Sequence, residues 1–395
     1  MNTASKPRKN PHLRLDLYEP EADLLVLNFG PQHPSTHGVF RIQLVLDGET
    51  IVKATPDLGY LHRGVEKLCE RLTYVQMTPI VDKNDYVSPM HNEQAINMAF
   101  EKLLGVEVPR RARYLRTVFA ELQRIASHLL WLGTFALDLG GAIGGGSSLF
   151  LHCFRERELI LDLFEEVTGA RFHYNTHTIG GNRHDIPAGW ANPVKQALSV
   201  IEARIPEYES ITYNNQIFAE RTRGIGVLDG ELALELGLTG PILRACGIDH
   251  DLRRDAPYHA YDEIKVNVAT AQEGDCWARS VVRLAEIKES IRIVRALIDS
   301  IPEGPICGYK PIKLVGQVKI PSGQVYVGME SSRGELGTYV IAGGGEGNAS
   351  PYRLKIRPPS FHALSAIPYV MPGHMVADAV VILGSLDPIM GEVDR

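Results

Sequence analysis

Ala112-Arg113-Tyr114-Leu115-Arg116-Thr117-Val118-Phe119-Ala120-Glu121-Leu122-Gln123-Arg124-Ile125-Ala126-Ser127-His128-Leu129-Leu130-Trp131-Leu132 is the stretch on which the architecture turns. Leu115, Val118, Phe119, Leu122, Ile125 and Leu129 return at steps of three and four, with Arg113, Arg116, Glu121 and Arg124 between them. That period belongs to an amphipathic helix. Residues 156–167 and 277–301 follow the same pattern, and the second run stops at Pro302 and Gly304, where helices tend to stop. Residues 95–104 and 193–204 are further candidates. Long helices in succession predict a bundle, whose seams can host a site.

On both sides of this region the pattern changes. Leu24-Leu25-Val26-Leu27 is a short apolar run, and Phe40-Arg41-Ile42-Gln43-Leu44 alternates. Asp47-Gly48, between Val45-Leu46 and Thr50-Ile51-Val52, is a two-residue hairpin signal. After Gly308, strands are predicted at 317–320, 338–341 and 352–356, separated by Pro-Ser-Gly and glycine-rich turns. Gly343-Gly344-Gly345-Glu346-Gly347 reads as a turn, since a glycine run without a following helix is a poor phosphate loop. The expected fold class is α+β. A β-rich N-terminal lobe with an antiparallel sheet covers 1–60, a central helical bundle 61–305, and an irregular β/turn lobe 306–395.

Composition narrows the function. The 395 residues carry 41 Lys+Arg against 47 Asp+Glu, a net charge of −6, without the basic excess of a nucleic-acid binder. Hydrophobic residues at 44% exclude extensive disorder. Cys69, Cys153, Cys246, Cys276 and Cys307 are scattered and form no C-x-x-C pair. That argues against a disulfide scaffold, a zinc ribbon or an iron–sulfur cluster held by this chain alone, and a reducing compartment is the simplest setting. The most apolar region, 125–154, is interrupted by Asp138 and the glycines from Gly140 to Gly146, so no membrane span is expected. Residues 1–10 lack the apolar core of a secretion signal. A soluble chain is expected, one able to sit on a membrane partner.

Three places could carry chemistry. Gly30-Pro31-Gln32-His33-Pro34-Ser35-Thr36-His37-Gly38 must be a shaped loop, because its prolines and glycines stop both strand and helix. It presents two imidazoles, either as backbone-bonded connectors or as metal ligands. No cysteine is near, and Pro34 removes the helical spacing of H-E-x-x-H. Tyr86, flanked by ionisable residues in Asp82-Lys83-Asn84-Asp85-Tyr86-Val87-Ser88 ahead of a helix expected near Asn92, is either a half-buried aromatic or a proton donor. Asp138 lies in an apolar segment, where a carboxylate is costly unless paired. It either caps a helix end or pairs with an imidazole held as a cation.

The segments Asn28 to Gly38, Leu61-His62-Arg63-Gly64-Val65-Glu66-Lys67, Asp85-Tyr86-Val87-Ser88, Phe154-Arg155-Glu156-Arg157-Glu158, Ser331-Ser332-Arg333-Gly334-Glu335 and Gly391-Glu392-Val393-Asp394-Arg395 resemble one family. It is the D subunit of the proton-pumping NADH:quinone oxidoreductase, respiratory complex I, and the likeness runs from about Asp23 to Arg395. That family is related to the large subunit of nickel–iron hydrogenases, whose two cysteine pairs hold metal. Here Tyr86 and Ser88 stand in the loop comparable to the first pair, and Asp387-Pro388-Ile389-Met390 resembles the surroundings of the second. Without soft ligands, hydrogenase chemistry is implausible.

The resemblance implies a quinone-reduction cavity formed with the complex's B subunit, with His37 and Tyr86 at the two quinone oxygens and Asp138 paired with the histidine. It places Arg63, His173 and Lys83 near a tetranuclear iron–sulfur cluster held by the B subunit, as neighbours and not as ligands. No metal is expected on this chain. The implied partners are the B, C and I subunits and the membrane-embedded H subunit. The implied place is the cytoplasmic side of the inner membrane, peripherally bound, with quinone reduction coupled to proton translocation. Lys83 stands where an arginine is expected, Thr178 does likewise, and Gly140 to Ser148 is longer and richer in glycine than the usual form. Two rivals remain: a non-catalytic scaffold paralogue within a related membrane-bound oxidoreductase, and a metalloenzyme using His33 and His37.

Overall fold

The computed structural model describes residues 24–32, 37–140, 146–309, 318–344 and 348–395. The first sheet is antiparallel, built from β1 (Leu25–Phe29), β2 (Arg41–Asp47) and β3 (Thr50–Asp57). β2 and β3 meet at the expected hairpin, where Asp47 pairs with Thr50 and Gly48 takes a φ of 58°. Short α1 (Val65–Cys69) and α2 (Tyr74–Val81) precede α3 (Pro89–Leu104), α4 (Arg110–Asp138) and α5 (Gly146–Thr168). α3 begins three residues before Asn92. Pro89 sits at its first turn, where the missing N–H costs nothing and the fixed φ suits a helix.

A two-stranded ribbon, β4 (His177–Thr178) and β5 (Gly181–Asn182), leads to α6 (Ala191–Ile211) and α7 (Gln216–Thr222). Then come α8 (Gly230–Glu235), α9 (Gly240–Ala245), α10 (Leu252–Asp255) and the long α11 (Cys276–Ile298). The second three-stranded sheet is β6 (Gly323–Ser331), β7 (Gly334–Gly344) and β8 (Ser350–Arg357), again antiparallel. The chain closes with α12 (Pro359–Leu364), α13 (Ile367–Val370), α14 (Val376–Leu386) and α15 (Met390–Asp394).

The α+β class stands, with helices between two sheets, but the C-terminal portion holds more helix than its composition announces. Pro359 and Pro368 punctuate α12 and α13 at their first turns and read as breaks. α14 is a short, nearly unbroken apolar run, and such runs do not distinguish helix from buried strand. Val318 to Ile320 lies outside any strand, while Gly343 and Gly344 end β7. Gln317 and residues 345–347 fall outside the described residues.

One apolar core runs from Phe40 and Ile42 through Leu115, Phe119 and Ile125 to Leu383 and Val393. It therefore joins the first sheet to the last helices. Backbone bonds tie them as well: Ile51 donates to the His374 carbonyl at 2.8 Å, Gly373 to that of Ile51 at 2.8 Å, and Val376 to that of Glu49 at 3.0 Å. A second core packs β6–β8 against α1, α2 and α3.

α4 packs against α5, α11 and α14, and its expected polar face is inside the protein. Arg116, Glu121 and Arg124 are fully buried. Arg116 pairs with Glu101 at 2.7 Å, and Arg253 reaches Glu121 at 3.2 Å. Arg124 donates to the carbonyls of Ser331 and Glu330 at 2.6 and 2.7 Å. Arg244 extends this network to Glu286 at 2.7 Å and Glu330 at 2.8 Å. A buried charge is tolerated only when paired, and removing one partner costs about 3–5 kcal/mol. Arg244→Leu should therefore destabilise the chain by about that much, measured as a lower thermal-inactivation temperature or a lower yield of assembled complex.

Candidate active site

The strand-breaking loop after β1 places His37 in the left-handed region, at φ 51°. Its Nε2 lies 2.9 Å from Asp138 Oδ2, at the last residue of α4. Of the two sequence readings of Asp138, the pairing with an imidazole is therefore the one observed. Burial works to lower the His37 pKa, but the hydrogen bond and charge of Asp138, aided by Asp387, outweigh it and the pKa is raised. His33, in the same loop, lies outside the described residues.

Tyr86 sits in the turn before α3, and burial together with the adjacent Asp85 charge raises its pKa. The turn is held by Asp85. Its Oδ1 accepts the Val87 and Ser88 N–H groups at 3.1 Å each, and its Oδ2 accepts Arg333 Nη1 at 2.7 Å. Arg333 is 3% exposed, and its Nη2 donates to Asp387 Oδ1 at 3.3 Å while its Nε donates to the Asp387 carbonyl at 3.1 Å. Ser88 Oγ and Ser332 Oγ lie 2.8 Å apart beside this guanidinium.

The segment 384–391 brings the three residues into one neighbourhood. A side chain at Gly384 would drive its Cβ into Asp138 Oδ2. Met390 Cγ lies 3.9 Å from where Gly38, next to His37, would carry a Cβ. A Cβ at Gly391 would stand 2.7 Å from the Asn84 carbonyl and 3.5 Å from the Tyr86 ring. Arg333 and Asp387 act electrostatically on both His37 and Tyr86. Gly384→Ala would improve helix propensity, yet its methyl must push the Asp138 carboxylate off His37. The expected result is an assembled complex in which the His37 pKa has fallen, read by NMR titration of a ring-labelled histidine.

Arg63, Lys83 and His173 gather around Asp82. Lys83 Nζ lies 3.1 Å from Asp82 Oδ1, and His173 Nδ1 lies 3.8 Å from Asp82 Oδ2. Arg63 Nη2 donates to the Lys83 carbonyl at 3.2 Å and to Asn84 Oδ1 at 3.1 Å. Burial pushes Asp82 up to about 6 against the pull of Lys83 and Arg63. Burial and the same two cations lower His173. His173 and Asn175 take positive φ values of 59° and 46°. Buried Glu93 fixes that loop by accepting the N–H groups of Asn175, Thr176 and His177 at 2.7, 2.7 and 2.9 Å.

Asp85, Arg333 and Asp387 are site groups that the sequence alone does not single out. Arg333 and Asp387 lie in segments that stand out, but nothing local marks a guanidinium between Ser332 and Gly334 as buried between two carboxylates. As for metal, all five cysteines are free, and burial pushes the Cys69 thiol up to about 12. Among the described residues no three His, Cys, Asp or Glu side chains form a metal-binding group. No helix of the described residues is long and apolar enough to cross a membrane.

The backbone superposes with a TM-score of 0.89 on a chain of the membrane-bound sulfane sulfur reductase, an archaeal respiratory membrane complex. The two are 34% identical, covering 96% of this chain and 100% of that one. The fold is thus that of a component of a respiratory membrane complex. Residues 144–395 match the family model described as the respiratory-chain NADH dehydrogenase 49 kDa subunit. The D subunit of NADH-quinone oxidoreductase from Methylacidiphilum infernorum is 45% identical, over 95% of this chain and 93% of its own length. That of Clostridium beijerinckii is 47% identical, over 94% and 97%. The chain belongs to the 49 kDa, or D-type, subunit family of respiratory complex I.

Proposed function

We propose that this chain forms the quinone-reduction site of its complex together with the B subunit. His37, held as imidazolium by Asp138, and the Tyr86 hydroxyl give the two protons that convert quinone to quinol. The partner's tetranuclear iron–sulfur cluster supplies the electrons. The observation that carries this reading is the common neighbourhood of the three residues along 384–391. An imidazolium and a phenol are acids able to donate at hydrogen-bond range, and raising the histidine's pKa keeps its proton available near neutrality.

Arg63, Lys83 and His173 are proposed to face the cluster of the B subunit, where the positive charge of Arg63 and Lys83 favours an added electron. The C, I and H subunits complete the proposed surroundings, on the cytoplasmic side of the inner membrane, and the charge lost from His37 and Tyr86 is the proposed trigger for proton translocation. The archaeal structural neighbour belongs to a complex named for a different acceptor, sulfane sulfur. Higher identity to the quinone-named relatives favours quinone here. Turnover of the assembled complex with decylubiquinone, against that with a polysulfide, tests the choice: reduction of polysulfide alone would refute it.

A further inference from the structure

Asp387 sits at the middle of the segment that closes on Asp138, Gly38 and Tyr86, and so far it serves only as a charge beside His37 and Tyr86. It is 4% exposed. One carboxylate oxygen, Oδ1, faces Arg333. The other, Oδ2, is buried and has no hydrogen-bond partner among the described residues. Buried polar atoms are overwhelmingly paired, and a lone carboxylate oxygen asks for a donor. Asp387 lies between Gly384, which closes on Asp138, and Gly391, which closes on the Tyr86 ring, and its charge acts on both His37 and Tyr86.

We infer that Asp387 Oδ2 is a third ligand-contacting atom of the site, an acceptor that takes the hydroxyl hydrogen of quinol and has no favourable contact for quinone. This rests on the quinone reading above. Both quinone oxygens only accept hydrogen bonds, as a carboxylate does, so the oxidised ring meets acceptor with acceptor. Quinone becomes quinol by taking two electrons, delivered by the partner's iron–sulfur carrier, and two protons, one each from His37 and Tyr86. Only then does the ring carry O–H groups, and an O–H donated to a carboxylate is a strong, short hydrogen bond. Asp387 gains and loses no proton. It favours the reduced ligand, which pulls the reaction toward product and slows product release.

The test uses the assembled complex in membranes, with NADH as donor, decylubiquinone as acceptor and decylubiquinol as product inhibitor. In Asp387→Asn the amide oxygen still accepts from Arg333, while the acceptor at Oδ2 becomes an N–H donor. The inhibition constant of decylubiquinol should rise roughly 10-fold, while KM for decylubiquinone holds or falls. Constants that stay unchanged, or that move together with a fall in kcat, overturn the inference, since a merely structural aspartate does not separate the two ligands. Should the variant fail to assemble, electron microscopy of the wild-type complex saturated with decylubiquinol decides. A quinol oxygen on Oδ2 supports the assignment, and a water there in its place overturns it. The quinone reading fails separately, if variants of Tyr86 and His37 keep wild-type turnover.

Discussion

Tyr86→Phe should cut quinone reduction by the assembled complex roughly 100-fold or more, the usual scale of a lost general acid, while leaving assembly intact. The phenyl ring keeps its packing beside Gly391, where the tyrosine ring edge already lies 3.5 Å from a would-be Cβ. The Tyr86 hydroxyl ionises less readily than in water, because burial and Asp85 both oppose a second negative charge. A hydroxyl so placed would give up its hydrogen only to a strongly basic acceptor, as a reduced quinone oxygen is. The measurement is turnover with decylubiquinone beside electron transfer to an artificial acceptor upstream of the site. Loss of both would implicate assembly, and retention of both would remove tyrosine from the chemistry.

Asp138→Asn carries the second large effect, and it depends on pH. In the native protein the Asp138 hydrogen bond and charge overcome burial and raise the His37 pKa, so the imidazolium persists above the ordinary value of about 6.5. Without that carboxylate, burial and Arg333 lower the pKa, and the Asp387 charge alone still raises it. Turnover of the variant should approach wild type below pH 6 and fall away by roughly 10-fold or more by pH 7.5. The stability effect has the same sign. A raised folded-state pKa gives stability that is complete below about pH 6.5 and is lost as pH rises through the folded value. In Asp138→Asn this pH dependence should flatten. An unchanged alkaline limb would show that His37 is not the proton source.

The parts of this molecule that were legible in its sequence are those governed by local rules. The apolar period of 112–132 announced α4, and Asp47-Gly48 announced the β2–β3 hairpin, because each depends on neighbours a few residues away. The same period misled on one point. Arg116, Glu121 and Arg124 occupy positions that read as a solvated face, but Glu101, Arg253 and the carbonyls of Glu330 and Ser331 meet them inside. The partners of Glu121 and Arg124 lie more than a hundred residues away and leave no trace in a window of twenty. The site divides in the same way. Proline and glycine marked the His37 loop, and an isolated carboxylate marked Asp138. Asp387, however, takes its meaning from Arg333, Asp85 and the unpartnered side of its own carboxylate, all of which are facts of tertiary structure. The close approaches of Gly384 and Gly391 are likewise tertiary and carry no local mark.

The segment that seats these groups also fixes the order in which the molecule can be made. About 250 residues must leave the ribosome after Asp138 before Gly384 arrives to receive it, an interval of roughly 12–50 s at ordinary synthesis rates. Throughout it, the half-made polypeptide carries a charged pair with no wall around it and an apolar first sheet with nothing to cover it. A holding chaperone engaged during translation would guard that interval, and nascent chains truncated before residue 384 should remain bound to it.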